Sequence, residues 1–256
     1  MKASKSIFFI LAVIAIAAGC SGEKSIPLPE TGTWKLSEII TTREIPALKE
    51  PVTISLSLDG TTVSGFSGCN NYFTGYKLNE NRIVLENIAS TRRIGPEENM
   101  ALENLFLDQL ALTASYKNTK EGLTLFDSDG NEILRFIPYE ITDIQWDLTS
   151  YLKTEDAVET VPEDVEAFIT LSKDGKLNGN TGVNILNTTY SLSDGNGIQI
   201  QPGATTMMAA PTEEIGNFEQ RFLELLGSAV SYRLSGDTLT LVDANDSSLL
   251  IFSCKK

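Results

Sequence analysis

Cys69 is the residue best equipped for chemistry, set in the stretch Gly65-Phe66-Ser67-Gly68-Cys69-Asn70-Asn71-Tyr72-Phe73-Thr74-Gly75-Tyr76. As a nucleophile its thiol would need a depressed pKa, supplied by a nearby cation or a helix terminus. The sequence contains no histidine, which excludes Cys-His and Ser-His-Asp arrangements and His-ligated zinc. The side chain best suited to proton transfer near neutral pH is missing with it. A carboxylate-based hydrolase remains conceivable, and it would need two carboxylates converging in one cleft. The expectation is no catalytic site, no metal site and no cofactor.

Other residues invite chemistry and have a plainer reading beside it. Cys69 reads as a buried thiol at a turn, the usual fate of an unpaired cysteine. In an oxidising compartment it could instead bridge to Cys254. Asp127-Ser128-Asp129-Gly130-Asn131-Glu132 resembles a calcium loop, but its glycine comes fourth where an EF-hand wants it sixth. It reads as a hairpin turn. Ser67, Asn70, Asn71, Tyr72 and Tyr76 could line a small pocket at a barrel mouth. The plainer reading has the asparagines bonding their own turn and the tyrosines covering a core. Met207 and Met208 read as packing residues, and the acidic run Glu155-Asp156, Glu159, Glu163-Asp164 and Glu166 as a solvated loop.

The elements that must position these residues follow from the chain in order. Lys2 and Lys5, an apolar run from Ile7 to Ala18 and small residues before Cys20 make residues 1–19 a signal peptide. Ala17-Ala18-Gly19-Cys20 resembles the lipobox of bacterial lipoproteins, which implies acylation at Cys20 and a membrane anchor there. Residues 20–30 then form a short, proline-containing tether. The net charge is −14, and removing Lys2 and Lys5 with the leader takes it to −16. With no cluster of Lys or Arg, this balance argues against nucleic acid as a partner.

The remainder is one unit written twice. Val52 to Leu58 alternates as a half-buried strand, and Asp59-Gly60 turns it into Thr62-Val63-Ser64-Gly65. Tyr76 to Leu78 and Arg82 to Leu85 are further strands. Pro96-Glu97-Glu98 opens a helix whose Leu102, Leu105, Phe106, Gln109 and Leu110 share one face. Leu123 to Phe126 and Ile133 to Phe136 form a closing hairpin. Trp146 answers Trp34, Gly179-Asn180-Thr181-Gly182-Val183-Asn184 answers the glycine-rich stretch, and Leu239 to Asp243 answers Leu123 to Asp127. A second amphipathic segment, with Phe218, Phe222, Leu225 and Leu226, follows Pro211. The joint falls near Pro138-Tyr139, giving units 31–138 and 139–256.

These motifs resemble the META-domain (HslJ-like) family of bacterial envelope proteins. The resemblance rests on Trp34 and Leu36, Gly65 to Tyr72, Thr91 and Leu123 to Asp127. In the second unit it rests on Trp146 and Leu148, Gly179 to Asn184, Thr206 to Pro211 and Leu239 to Asp243. Where the family often carries a second cysteine after Met-Ala, this chain has Gly95 and Ala210, and Val183 stands where Cys69 has its counterpart. The resemblance implies a mainly β fold: two tandem antiparallel β-barrel-like domains, each with one amphipathic helix. It implies no established enzymatic activity. The expectation is a non-catalytic envelope lipoprotein, anchored at Cys20 in the outer membrane, with a protein or cell-wall partner and a link to envelope stress. The alternative is a periplasmic protein binding a small apolar ligand. Gly65, Gly68, Cys69, Asn70, Tyr72, Gly75, Tyr76, Gly179, Gly182 and Asn184 are the candidate binding or structural positions.

Overall fold

The computed structural model describes residues 25–154, 157–193 and 196–254. The leader, Cys20, Glu155 and Asp156 lie outside these described residues. The first unit runs β1 (Thr31–Ile39), β2 (Ser55–Asp59), β3 (Thr62–Phe66), β4 (Asn71–Asn79), β5 (Arg82–Leu85) and β6 (Ala89–Ser90). It continues with α1 (Glu97–Ala111), β7 (Ser115–Asn118), β8 (Leu123–Phe126) and β9 (Glu132–Pro138). The second runs β10 (Gln145–Thr154), β11 (Ala157–Thr160), β12 (Ala167–Leu171), β13 (Lys176–Thr181), β14 (Ile185–Ser193), β15 (Gly197–Ile200) and β16 (Ala204–Thr205). It ends with α2 (Glu213–Ser228), β17 (Ser231–Ser235), β18 (Thr238–Val242) and β19 (Ser248–Cys254).

Each unit closes into an antiparallel barrel of eight strands among the described residues. In the first, the order is β3-β2-β1-β9-β8-β7-β5-β4, and β3 pairing with β4 completes the ring. In the second, β10 pairs with both β12 and β19, so first and last strands seal the seam. Strands β6, β11 and β16 attach outside the rings. The duplication extends to irregularities. β1 and β10 shift register between Leu36 and Glu38 and between Leu148 and Ser150. The closing hairpins shift at Leu125/Phe126 and at Leu241/Val242.

Alternation explains the rings. In β2, Leu56 and Leu58 point inward while Ser57 faces out, and β12 repeats this with Ile169 and Leu171. α1 adds Leu102, Leu105, Phe106 and Leu110 to the first core, with Phe106 edge-on to Tyr72 at 5.5 Å and Phe136 at 6.4 Å. Burial of each such side chain contributes about 2 kcal/mol. α2 does the same with Phe218 and Phe222, next to Tyr151. Acidic residues start both helices, as the helix dipole favours, and Thr212 caps α2 by accepting from the Ile215 N–H.

Two sequence expectations change here. Ala157–Thr160, inside the acidic run read as a loop, is the strand β11, paired with β10; Lys153 holds Glu159 at 2.8 Å. The glycine-rich stretch is mostly strand, since Gly65 lies in β3 and Gly75 in β4, leaving only Ser67 to Asn70 as the turn.

Candidate functional site

Gly65 and Gly179 occupy equivalent positions where the barrel wall crosses very close to itself. A Cβ on Gly65 would sit 2.0 Å from the Ser55 carbonyl oxygen, and one on Gly179 2.3 Å from that of Phe168. Gly68 and Gly182 follow in the left-handed region, at φ of +115° and +98°. Between these glycines each turn closes on itself. The Ser67 N–H donates to the Asn70 carbonyl and the Thr181 N–H to that of Asn184, both at 2.8 Å.

Each turn is clamped to its helix by a carboxylate that sequence reasoning missed. Glu103 Oε2 accepts from Ser67 Oγ at 2.5 Å and from the Asn70 N–H at 2.7 Å, while Oε1 accepts from Asn70 Nδ2 at 2.9 Å. In the second barrel Glu219 accepts from Thr181 Oγ1 and from Asn184 Nδ2, the latter at 2.9 and 3.0 Å. The asparagines reach a third element. Asn70 Oδ1 accepts from Thr91 Oγ1 and the Arg93 N–H. Asn184 Oδ1 accepts from Thr206 Oγ1 and the Met208 N–H. One amide thus ties turn, strap and helix together, which is more than bonding its own turn. The signal was available: Leu102-Glu103-x-x-Phe106 and Phe218-Glu219-x-x-Phe222 share an acid beside an apolar face.

Of the residues expected to share a pocket, only Asn71 and Tyr72 border one cleft. Ser67 and Asn70 are buried and saturated by the clamp. Tyr72 is buried and donates to the Ser55 carbonyl, and Tyr76 donates to that of Gly60. Burial pushes the Tyr72 hydroxyl far above its usual range. Asn71 faces outward, accepting from Ser235 Oγ of the other barrel. Gly75 packs against the Glu86 side chain. The second turn, with Gly179, Gly182 and Asn184, stands apart in its own barrel.

Cys69 is half-buried rather than buried, because it sits on the outer side of the turn with its Sγ 3.6 Å from the Arg93 carbonyl. Burial and Glu103 raise its thiol pKa, with Arg93 opposing, so the group is held as a thiol. No disulfide joins it to Cys254. Asp127 accepts from the Asp129 and Asn131 N–H groups, and Asp243 repeats this with Asn245 and Ser247. These are hairpin turns, and the bonds hold Asp127 below the usual carboxylate range. No group of three or more acidic, cysteine or histidine side chains suited to a metal occurs among the described residues. The two clamp carboxylates, Glu103 and Glu219, lie in different barrels and do not converge. Met207 is not a packing residue: it is 99% exposed, with Met208 beside it, since the strap bonds through its backbone and turns these side chains outward. Ile94, on the first strap, is 94% exposed.

The first barrel's interior leaves an apolar gap of only about 10 Å3, beside Leu110 and Thr113. Open space lies instead between the barrels. The β17–β18 hairpin reaches across, and the Gly236 N–H donates to Ser55 Oγ at 3.2 Å. Tyr139, at the joint, donates to the Gly236 carbonyl at 2.8 Å, and Asn196 Nδ2 donates to Thr33 Oγ1. Beside this seam lies a cleft of about 550 Å3, bordered by Ser64, Asn71 and Phe73 from one barrel and Ser231, Arg233 and Thr240 from the other.

Two solved structures are similar in part. An NMR structure of a protein from Burkholderia xenovorans shares 23% identity over 48% of this chain and 99% of its own, with a TM-score of 0.37. A crystal structure of a duf4847 family protein from Bacteroides vulgatus shares 17% identity over 44% of this chain and 93% of its own, with a TM-score of 0.34. No curated protein matches the chain. The META domain profile matches twice, over residues 27–138 and 139–256, which together take in nearly everything after the leader and most of the tether. Two closed barrels with matched clamps, each covered by its own profile match, place the chain in the META-domain family as a tandem member.

Proposed function

We propose that this tandem META-domain protein is a non-catalytic binding module of the bacterial cell envelope, held at the outer membrane through Cys20, with the cleft between its barrels as the binding surface. The observation that carries this reading is the saturation of the buried polar groups. Ser67, Asn70 and Glu103 spend their hydrogen bonds on one another, as do Thr181, Asn184 and Glu219, and Cys69 is held protonated. Groups so committed are scaffold. The second carboxylate that hydrolysis would need has no place at either clamp. The anchor and the envelope address rest on the leader and the Gly19-Cys20 junction. A small apolar ligand inside the first barrel is disfavoured by the lack of space there.

The test is a crosslinking capture from envelope extract with the chain from Ser21 onward, which keeps every described residue. Replacing Asn70 or Tyr72 would damage the scaffold. Phe73, 56% exposed on the cleft, is the informative position. A saturable partner held by the wild-type chain and lost with Phe73→Ser is the expected result. A partner indifferent to Phe73→Ser, or none at all, would overturn the placement.

A further inference from the structure

We infer that the cleft between the barrels takes a neutral, polyhydroxylated ligand, a segment of uncharged oligosaccharide. The inference rests on the proposed binding role and narrows it to a ligand class. Polar side chains bordering the cleft carry unused hydrogen-bonding capacity, four of them in particular. These four supply the hydroxyls of Ser64, Ser231 and Thr240 and the Nδ2 group of Asn71, whose Oδ1 alone is engaged. A hydroxyl offers one donor and two acceptor positions and rotates to suit, so such a row matches a ligand that itself presents hydroxyls.

Charge narrows the class. The charged residues on the cleft are Asp59, Arg233 and Asp246, and Arg233 is already paired with Asp246 at 2.7 Å. What remains is an unpaired acid in a chain of net charge −14, so an anionic ligand is repelled. A cation would find only that single exposed carboxylate. A protein hot spot would want a desolvated apolar centre, whereas Ser64, Asn71, Ser231 and Thr240 spread polar groups across this cleft. Phe73 supplies the one large apolar surface. It stands opposite Ser64 across β3 and β4, with its ring exposed. A pyranose presents the matching pair of surfaces: C–H groups to lie on an aromatic ring and hydroxyls around its rim. The cleft volume, about 550 Å3, falls within the range of about 300–1,000 Å3 found for ligand sites.

The probes are cellotetraose, maltotetraose and N-acetylchitotetraose, with tetragalacturonate as the anionic control. Each is titrated into the nitrogen-labelled chain from Ser21 onward and followed by amide chemical shifts. At least one neutral probe should shift the Ser64, Asn71 and Ser231 signals saturably, with the anionic control weaker by about tenfold or more. Phe73→Ala should weaken that probe about tenfold, the scale of one aromatic contact. Thr240→Val, nearly isosteric and on the other barrel, should weaken it severalfold. Both sites are surface positions, and the unperturbed spectrum of each variant reports its fold. No shift with any neutral probe, a preference for the anion, or binding indifferent to both variants would overturn the inference. If envelope capture still depends on Phe73 while no sugar binds, the ligand class falls and the binding role stands. If capture and sugar binding both fail, the role falls with it.

Discussion

The two barrels keep the same clamp and differ in nearly everything around it. In the first, Glu103 is buried and takes a backbone N–H as well as two side-chain donors. In the second, Glu219 is half-exposed, and the Asn184 N–H turns to Thr181 Oγ1 instead. Cys69 has Val183 in its place, and Tyr72 has Leu186. Ser55 of β2 and Asn71 of β4 accept hydrogen bonds from Gly236 and Ser235 of the second barrel. The matching position to Asn71 is Ile185, which is exposed. What survived duplication is therefore the connection of turn, strap and helix. The thiol and the buried tyrosine are optional to the fold.

Substitutions at the glycines and at the clamps sharpen this contrast. The largest effect is expected at the glycines, where both barrels should suffer alike. Gly65→Ala and Gly179→Ala should each cost more than about 3 kcal/mol, because a methyl group has no room against a backbone carbonyl. Urea unfolding followed by tryptophan fluorescence reads this, with Trp34 in one barrel and Trp146 in the other. Tolerance of alanine in either barrel would break the equivalence. The clamps should then differ. Glu103→Ala strands the buried Asn70 N–H and takes a carboxylate acceptor from Ser67 Oγ and Asn70 Nδ2, and should cost about 3 kcal/mol, whereas at Glu219 water can replace the carboxylate and the cost should be about 1 kcal/mol. Equal losses would mean that burial does not separate the two sites.

A further effect concerns the first barrel alone and has the opposite sign. A Cβ built on Gly95 would lie 3.8 Å from Cys69 Cβ, the usual Cβ separation across a disulfide. Gly95→Cys should therefore oxidise onto Cys69 with a small shift of the strap, consuming the Cys69 thiol and the introduced one and stabilising the barrel by about 2 kcal/mol. Thiol titration and the urea midpoint report it together. Wild-type Cys69, whose thiol pKa is raised, should meanwhile alkylate slowly at neutral pH and speed up only above the ordinary thiol range. Fast alkylation at neutral pH would reopen its reading as a nucleophile.

Much of the fold was legible because its signals are local and occur twice. Leu102, Leu105, Phe106 and Leu110 mark a helix face, and Asp59-Gly60 marks a hairpin whose glycine adopts φ +57°. Barrel closure was not legible from periodicity, since alternation along β1 and β10 says nothing about which strand meets their far edges. The clamp was missed because a carboxylate in a helix is ordinarily read as solvent-facing, and only its partners, 33 and 36 residues away, bring it inside. Met207 and Met208 misled for the converse reason: apolar side chains were read as packed, while the strap holds its place through main-chain bonds.

The seams of the barrels set an order for how the chain can mature. β1 must wait for β9, with Trp34 meeting Pro138, so the first barrel stays open until about a hundred residues beyond Trp34 have been made. The second is more exacting, because Trp146 meets Cys254. Its sealing strand, β19, is made about a hundred residues after the β10 edge that it must meet. A protease that nicks before Ser248 and frees β19 leaves a second barrel with two raw edges instead of none. β19 thus decides whether the ring is sealed, and a copy cut before it would expose itself to clearance by its unpaired backbone.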